Sequence, residues 1–109
     1  MASLYSQYNS ECRNKQTIEN DNGFLVYSID HGILYIEDYF VTPEHRGTGL
    51  LEDMASFAIE IGKSKGCKQL LGSVDIQTKD STVCVEKLIK YGMKIYSLKG
   101  NVIYFMKDI

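Results

Sequence analysis

The chain has 109 residues, 44% of them hydrophobic and 24% charged, with a formal net charge of −2. That length suits one domain around one core spanning residues 1–109. Interspersed lysines and acids leave no basic stripe for general nucleic-acid binding, and no apolar run approaches the roughly 18–20 residues of a membrane span. Three cysteines, Cys12, Cys67 and Cys84, are odd in number and widely spaced. They read as free thiols in a reducing cytosol, not as a disulfide framework. No Cys-x-x-Cys or Cys/His pair has zinc spacing, so no metal is expected. The start, Met1-Ala2-Ser3-Leu4-Tyr5, lacks a positive charge followed by an apolar stretch, so no signal peptide is expected.

In chain order, Tyr5, Tyr8 and Cys12 fall at i, i+3 and i+7, which allows a short helix within residues 1–13. Lys15–Glu19 reads as a short strand closed by Asn20-Asp21-Asn22-Gly23, residues that tolerate the positive φ of tight turns. Phe24–Ile29 is an apolar strand, Asp30-His31-Gly32 a second turn, and Ile33–Val41 a long strand rich in β-branched and aromatic residues. The period then changes. Leu50, Leu51, Met54, Phe57, Ala58 and Ile61 share one side of a helix that Gly66 stops. Lys68–Val74 reads as a buried strand, parallel to Ile33–Val41 because a helix separates them. A second main helix over Thr82–Tyr91, capped by Asp80 or Ser81, leads through Gly92 to the strands Met93–Leu98 and Val102–Met106. The order is β-β-β-α-β-α-β-β, an α/β (α+β) mixed sheet with two main helices packed on it.

The stretch that carries chemistry is Val41-Thr42-Pro43-Glu44-His45-Arg46-Gly47-Thr48-Gly49-Leu50-Leu51. A strand runs through a proline turn and a glycine loop into a helix. Glycines let backbone approach an anion, and a helix start aims unpaired N–H groups at it. The arrangement reads as a phosphate cradle.

The pattern Pro43-Glu44-x-Arg46-Gly47-x-Gly49 between strand and helix resembles the first motif of the GCN5-related N-acetyltransferase (GNAT) superfamily. Downstream, Tyr91-Gly92-Met93 stands where that family has a Gly-Phe pair, and the resemblance spans roughly residues 15–109. It implies a GNAT-like acyl-CoA-binding domain that transfers an acetyl group from acetyl-CoA to a primary amine of a small molecule or protein. It also implies that Arg46, Gly47, Thr48, Gly49, Leu50 and Leu51 hold the diphosphate, that Tyr39, Phe40 and Val41 pair with the pantetheine arm, and that Ser81 stands at a binding position on the second helix. A strand-edge amide at Phe40 or Val41 is the implied oxyanion donor. A carboxylate on the strand, Glu37 or Asp38, is the implied base; strand alternation puts the two on opposite faces, so at most one faces the cleft.

The sequence departs from the family at several places. Leu51 and Glu52 replace small residues, and a carboxylate about 6 Å from a phosphate costs on the order of 3 kcal/mol at an effective dielectric of ~20, which Arg46 offsets. Leu88 stands where the family has a tyrosine that protonates the leaving thiolate, and Tyr91, one turn on, is a poor substitute. About fourteen residues precede the first strand, in place of the elements that shape the acceptor site. The acceptor groove is therefore open, completed by a second subunit, or absent, and a homodimer is expected because apolar sheet surface is left bare. The alternative reading is a GNAT-fold CoA-binding or protein-interaction module with little or no catalysis. Cys84 reads as a small buried hydrophobe, His45 as a positional or stacking residue, and Lys63, Lys65 and Lys68 as complements to the helix macrodipole.

Overall fold

Alternating apolar residues separated by tight turns build an antiparallel meander of β1 (Gln16–Asn20), β2 (Gly23–Asp30) and β3 (Ile33–Val41) in the computed structural model, which describes residues 3–109. The β2–β3 turn has φ 49° at His31 and 76° at Gly32, the two positive values that a two-residue mirror-image turn demands. At Gly23 the glycine serves a different need. A Cβ there would lie 2.6 Å from the Phe40 carbonyl oxygen, so the missing side chain lets β2 approach β3 where β3 enters the loop.

After β3, a short 3₁₀ turn, Pro43–His45, leads to α2 (Leu50–Ser64), β4 (Gln69–Asp75), α3 (Ser81–Lys90), β5 (Lys94–Lys99) and β6 (Val102–Asp108). The sheet has six strands in the order β1-β2-β3-β4-β6-β5. β3 and β4 are parallel and the remaining neighbours antiparallel, as a helical crossover between β3 and β4 requires. The N-terminal segment adds a third helix, α1 (Leu4–Arg13), to the two main ones expected. Ser3 caps it by accepting the Ser6 N–H at 3.0 Å, and Asn14 ends it at φ 53° while donating its N–H to the Asn9 carbonyl. Asn9 is fully buried against the sheet and its carbonyl also accepts the Lys15 N–H at 2.9 Å. At α3, Asp80 occupies the N-cap position but with φ 62° and no side-chain cap bond.

The core lies between the sheet and the α2/α3 layer: Leu25, Tyr27, Leu34, Val41, Met54, Ala58, Leu70, Val74 and Phe105 are buried together. Burying a side chain such as Leu34 or Phe105, both at 0% exposure, contributes roughly 1.5–3 kcal/mol. α1 packs on β1 instead.

One irregularity in β3 positions the site. Val26 pairs with Asp38 but Tyr27 pairs with Ile36, so Glu37 is an extra residue, a β-bulge. Leu25 opposes Tyr39 and Tyr27 opposes Ile36; since Leu25 and Tyr27 share the core face, Ile36 and Tyr39 do too, although they are three residues apart. The bulge also corrects the expectation for Glu37 and Asp38. They do not alternate. Asp38, opposite Val26, reaches Tyr5 of α1, and Glu37 reaches Ser28 of β2 and Lys15, the residue before β1. Both carboxylates are therefore held by Tyr5, Lys15 and Ser28, and both residues also line a cavity beside α2 and α3.

Candidate active site

The parallel pairing of β3 with β4 comprises Ile33 with Gln69, Leu34 with Leu70 and Tyr35 with Leu71. Beyond Tyr35 the strands part: β3 continues beside β2 to Val41, while Gly72–Asp75 pair with β6. A gap thus opens in the middle of the sheet. On the α2/α3 side of this gap lies a cavity of about 180 Å³ with Ile36, Leu70, Gly72, Leu88 and Met93 in its wall. A second cavity, of about 540 Å³, lies at the loop before α2, with Val41, Arg46, Gly47, Gly49 and Leu50 in its wall. The two share Tyr39, Leu51, Glu52, Cys84 and Lys87, so they form one trough from the helix start to the gap.

The loop end of the trough is shaped by short local bonds. The Thr42 hydroxyl and His45 Nδ1 lie 3.0 Å apart, and the Thr48 hydroxyl donates to the His45 carbonyl at 2.6 Å. Arg46 Nε donates to the Val41 carbonyl at 3.0 Å, with the guanidinium 5.7 Å from the centre of the Phe40 ring. Gly47 and Gly49 have φ of 78° and 90°, and a Cβ on either would meet nothing within 4 Å. Gly49 is the N-cap of α2 and no side chain caps it. The first intrahelical bond runs from the Asp53 N–H to the Gly49 carbonyl at 2.9 Å, so the N–H groups of Leu50, Leu51 and Glu52 in the first turn have no partner four residues back. Positive partial charge concentrates at this end. Arg46, Lys79 and Lys87 add three cations to the wall against the carboxylates of Glu52 and Asp80.

The strand end presents its backbone to the gap selectively. The Thr42 N–H donates to the Asn22 carbonyl at 2.8 Å, so alternation points the main-chain groups of Phe40 at β2 and those of Tyr39 and Val41 at the gap. Phe40 therefore drops out as a backbone donor; its ring stacks on Phe24 at 6.2 Å, and Phe24 meets Tyr5 edge-on at 5.2 Å. Asp38 Oδ1 accepts the Tyr39 N–H at 2.9 Å, and Oδ2 accepts the Tyr5 hydroxyl at 3.2 Å. Glu37 is held by Lys15 Nζ at 3.2 Å and the Ser28 hydroxyl at 2.8 Å. Tyr39 extends its side chain into the shared wall beside Cys84. Burial pushes its phenol well above the usual value, and a hydrogen bond and charge from the Cys84 thiol, then charge from Asp38, push the same way.

Of the residues singled out from the sequence, Tyr39, Phe40, Val41, Arg46, Gly47, Gly49, Leu50 and Leu51 all border the second cavity. Thr48 and Ser81 border neither cavity: the Thr48 hydroxyl closes the loop, and the Ser81 hydroxyl donates to the Ile76 carbonyl at 3.1 Å. Lys79 and Lys87, also in the wall of the second cavity, are not singled out by the sequence. A signal for Lys87 existed, because Asp80, Val83, Cys84 and Lys87 fall at i, i+3, i+4 and i+7, one face of α3. Among the described residues no cluster of three His, Cys, Asp or Glu could hold a metal ion, and no helix is long and apolar enough to cross a membrane.

Solved proteins share this fold. The PaiA N-acetyltransferase of Thermoplasma acidophilum, solved in complex with coenzyme A, superposes with a TM-score of 0.74 at 20% identity, covering 81% of this chain and 54% of that one. IAA acetyltransferase from Bacillus cereus gives 0.73 at 16% identity, covering 98% and 85%. Nourseothricin acetyltransferase gives 0.70 at 24% identity, covering 80% and 57%. The chain thus spans little more than half the length of two of these three. At such identities the likeness concerns the fold. No curated protein matches the sequence. The family model described as the acetyltransferase (GNAT) family matches residues 8–89, which take in the gap, the loop and nearly all of α3; the chain belongs to the GNAT acetyltransferase family.

Proposed function

We propose that the protein transfers an acetyl group from acetyl-CoA to a primary amine of a small molecule or protein. The observation that carries this reading is the continuous trough from the uncapped start of α2 to the gap between β3 and β4, where Glu37 and Asp38 border the cavity. The trough fits the donor. Gly47 and Gly49 leave open space and positive-φ backbone where a diphosphate would approach, and the α2 N–H groups with Arg46, Lys79 and Lys87 supply positive charge. That a related fold was solved with coenzyme A bound adds support. The Val41 N–H, directed at the gap, suits the thioester carbonyl as an oxyanion donor. Glu37 or Asp38, bordering the cavity at the gap, suits removal of the proton from an attacking ammonium, directly or through water. In this division Arg46 and the loop bind, the strand edge orients, and the carboxylates move the proton. The coenzyme, when bound, supplies an activated thioester.

Acetyl-CoA-dependent release of free thiol with a panel of amines tests the reading. Turnover with at least one amine is expected, and binding without turnover on any amine contradicts it. The second reading, a coenzyme-binding or protein-interaction module with little catalysis, is favoured by Leu88, an aliphatic side chain in the cavity beside the gap. It predicts a thermal shift with acetyl-CoA and no thiol release. Free Cys12, Cys67 and Cys84 accord with a reducing, cytoplasmic setting. The edge strand β5 exposes Ile95, Tyr96 and Leu98, which supports a homodimer; light scattering at the monomer mass contradicts that assembly.

A further inference from the structure

The wall of the cavity at the gap divides into a polar mouth and an apolar floor. Its polar members Glu37, Asp38, Glu52, Ser73 and Lys87 are exposed, so they stand at the mouth. Leu25 of β2, Leu70 of β4 and Met93, just before β5, belong to the buried core and still border the cavity. The cavity therefore reaches down into the core. Ile36, Ala55 and Leu88 are half-buried and stand between mouth and floor. Gly72 contributes no side chain to this wall, and a Cβ there would lie 3.8 Å from Met93 Cε.

This division matches the two chemistries of a coenzyme A thioester. The amides of its arm need hydrogen-bond partners, and the main-chain groups of Tyr39 and Val41 offer them at the β3 edge. The floor offers only aliphatic and thioether side chains, which suit the apolar end of the arm, the acyl group. The volume sets its length. A cavity of about 150 Å³ lined by Leu, Ile and Phe holds benzene, about six heavy atoms. The cavity at the gap has about 180 Å³. Counted from the sulfur onward, an acetyl thioester has about four heavy atoms and a butyryl thioester about six, the number such a volume holds.

We propose that the site takes straight-chain acyl groups of up to about four carbons, with butyryl held more tightly than acetyl because its methylenes lie against Leu70, Leu88 and Met93. The inference rests on the coenzyme A reading above and widens its acyl group. The transfer itself is unchanged. The amine nitrogen bonds to the carbonyl carbon, the carbon–sulfur bond breaks with its electron pair on sulfur, and the proton lost by nitrogen balances the one gained by the free thiol.

Calorimetric titration with coenzyme A and with acetyl-, butyryl- and octanoyl-coenzyme A tests the assignment without turnover. Each methylene moved from water onto the apolar wall should tighten binding about fourfold, so butyryl-coenzyme A should bind roughly 15-fold more tightly than acetyl-coenzyme A. Octanoyl-coenzyme A, too long for the floor, should bind more weakly than butyryl-coenzyme A. Leu88→Phe and Gly72→Ala each take space from the cavity, and the added Cβ at Gly72 makes an ordinary 3.8 Å contact with Met93, so that variant keeps its fold. Both should lower the butyryl-to-acetyl affinity ratio by about fourfold or more, one methylene's share. In turnover, kcat/KM should rise from the acetyl to the butyryl donor. Equal affinity for the two, tighter binding of acetyl-coenzyme A, or a ratio unmoved in both variants would overturn the acyl pocket while leaving the coenzyme A reading intact. A wild type that binds none of the four ligands would overturn that reading itself.

Discussion

The two faces of the sheet are built on different terms. The α2/α3 face is closed by two helices over a packed core and keeps a trough between them. The α1 face carries one ten-residue helix over β1, a run of aromatic contacts from Tyr5 through Phe24 to Phe40, and the groups of Tyr5, Lys15 and Ser28 that hold the Glu37 and Asp38 carboxylates. The first face offers backbone N–H groups, glycines and cations, the chemistry that holds a large anion. The second offers acids and aromatic surface, the chemistry that receives an amine. The bulge and the parting of β3 from β4 connect them, because Glu37 and Asp38 take partners from the α1 side and also border the cavity at the gap. Donor and acceptor functions should therefore be separable by mutation.

The largest effect is expected at the donor face. Gly49→Glu places a carboxylate at the α2 start where a Cβ meets no steric obstacle, so charge repulsion with added strain at φ 90° should abolish acetyl-CoA binding in calorimetry. Normal binding by this variant would remove the loop from the site. Next comes the acceptor face. The double variant Glu37→Gln with Asp38→Asn should lower kcat/KM for the amine by roughly 100- to 10,000-fold, with the dissociation constant of acetyl-CoA unmoved. Loss of donor affinity in that variant would dissolve the separation of faces. A structural effect of about 1–3 kcal/mol is expected from Gly23→Ala, whose Cβ would press on the Phe40 carbonyl at 2.6 Å. A denaturant midpoint equal to wild type would show that β2 need not approach β3 so closely.

The smallest expected effect is in alkaline stability. Tyr39 and Tyr27 are both raised above 10.0, chiefly by burial. Above that pH the unfolded chain loses protons that the folded chain retains, so unfolding becomes easier as pH rises, by up to about 1.4 kcal/mol per pH unit for each group. The contribution is complete below pH 10 and is lost progressively toward the folded-state values. Tyr39→Phe should flatten the slope, and an unchanged slope would place the Tyr39 phenol in solvent.

Much of this was legible from local chemistry. Ile33–Val41 is bounded as its composition indicates, because Gly32 and Pro43 punctuate a β-branched and aromatic run. The loop glycines announce themselves because positive φ at a helix start has few other solutions. The features that the sequence hides depend on partners distant in sequence. The bulge at Glu37 arises from register against Val26 and Tyr27, which strand alternation within β3 cannot reveal, and with it both carboxylates border one cavity where alternation allows only one. The N–H and C=O of Phe40 face β2 for a reason that lies in the Thr42–Asn22 bond. Lys79 and Lys87 join the loop only because α3 crosses over it, a tertiary fact with only a helical-spacing hint in the sequence.

The central claim, that the acyl donor lies along the α2/α3 face with its diphosphate at residues 46–51, is tested most directly by following backbone amide resonances during titration with acetyl-CoA. Saturable shifts should centre on Gly47, Gly49, Leu50 and Leu51, extend to Val41, and leave α1 and the outer strand β5 unmoved. Shifts confined to α1 and β1, or no shifts at millimolar ligand, would contradict it.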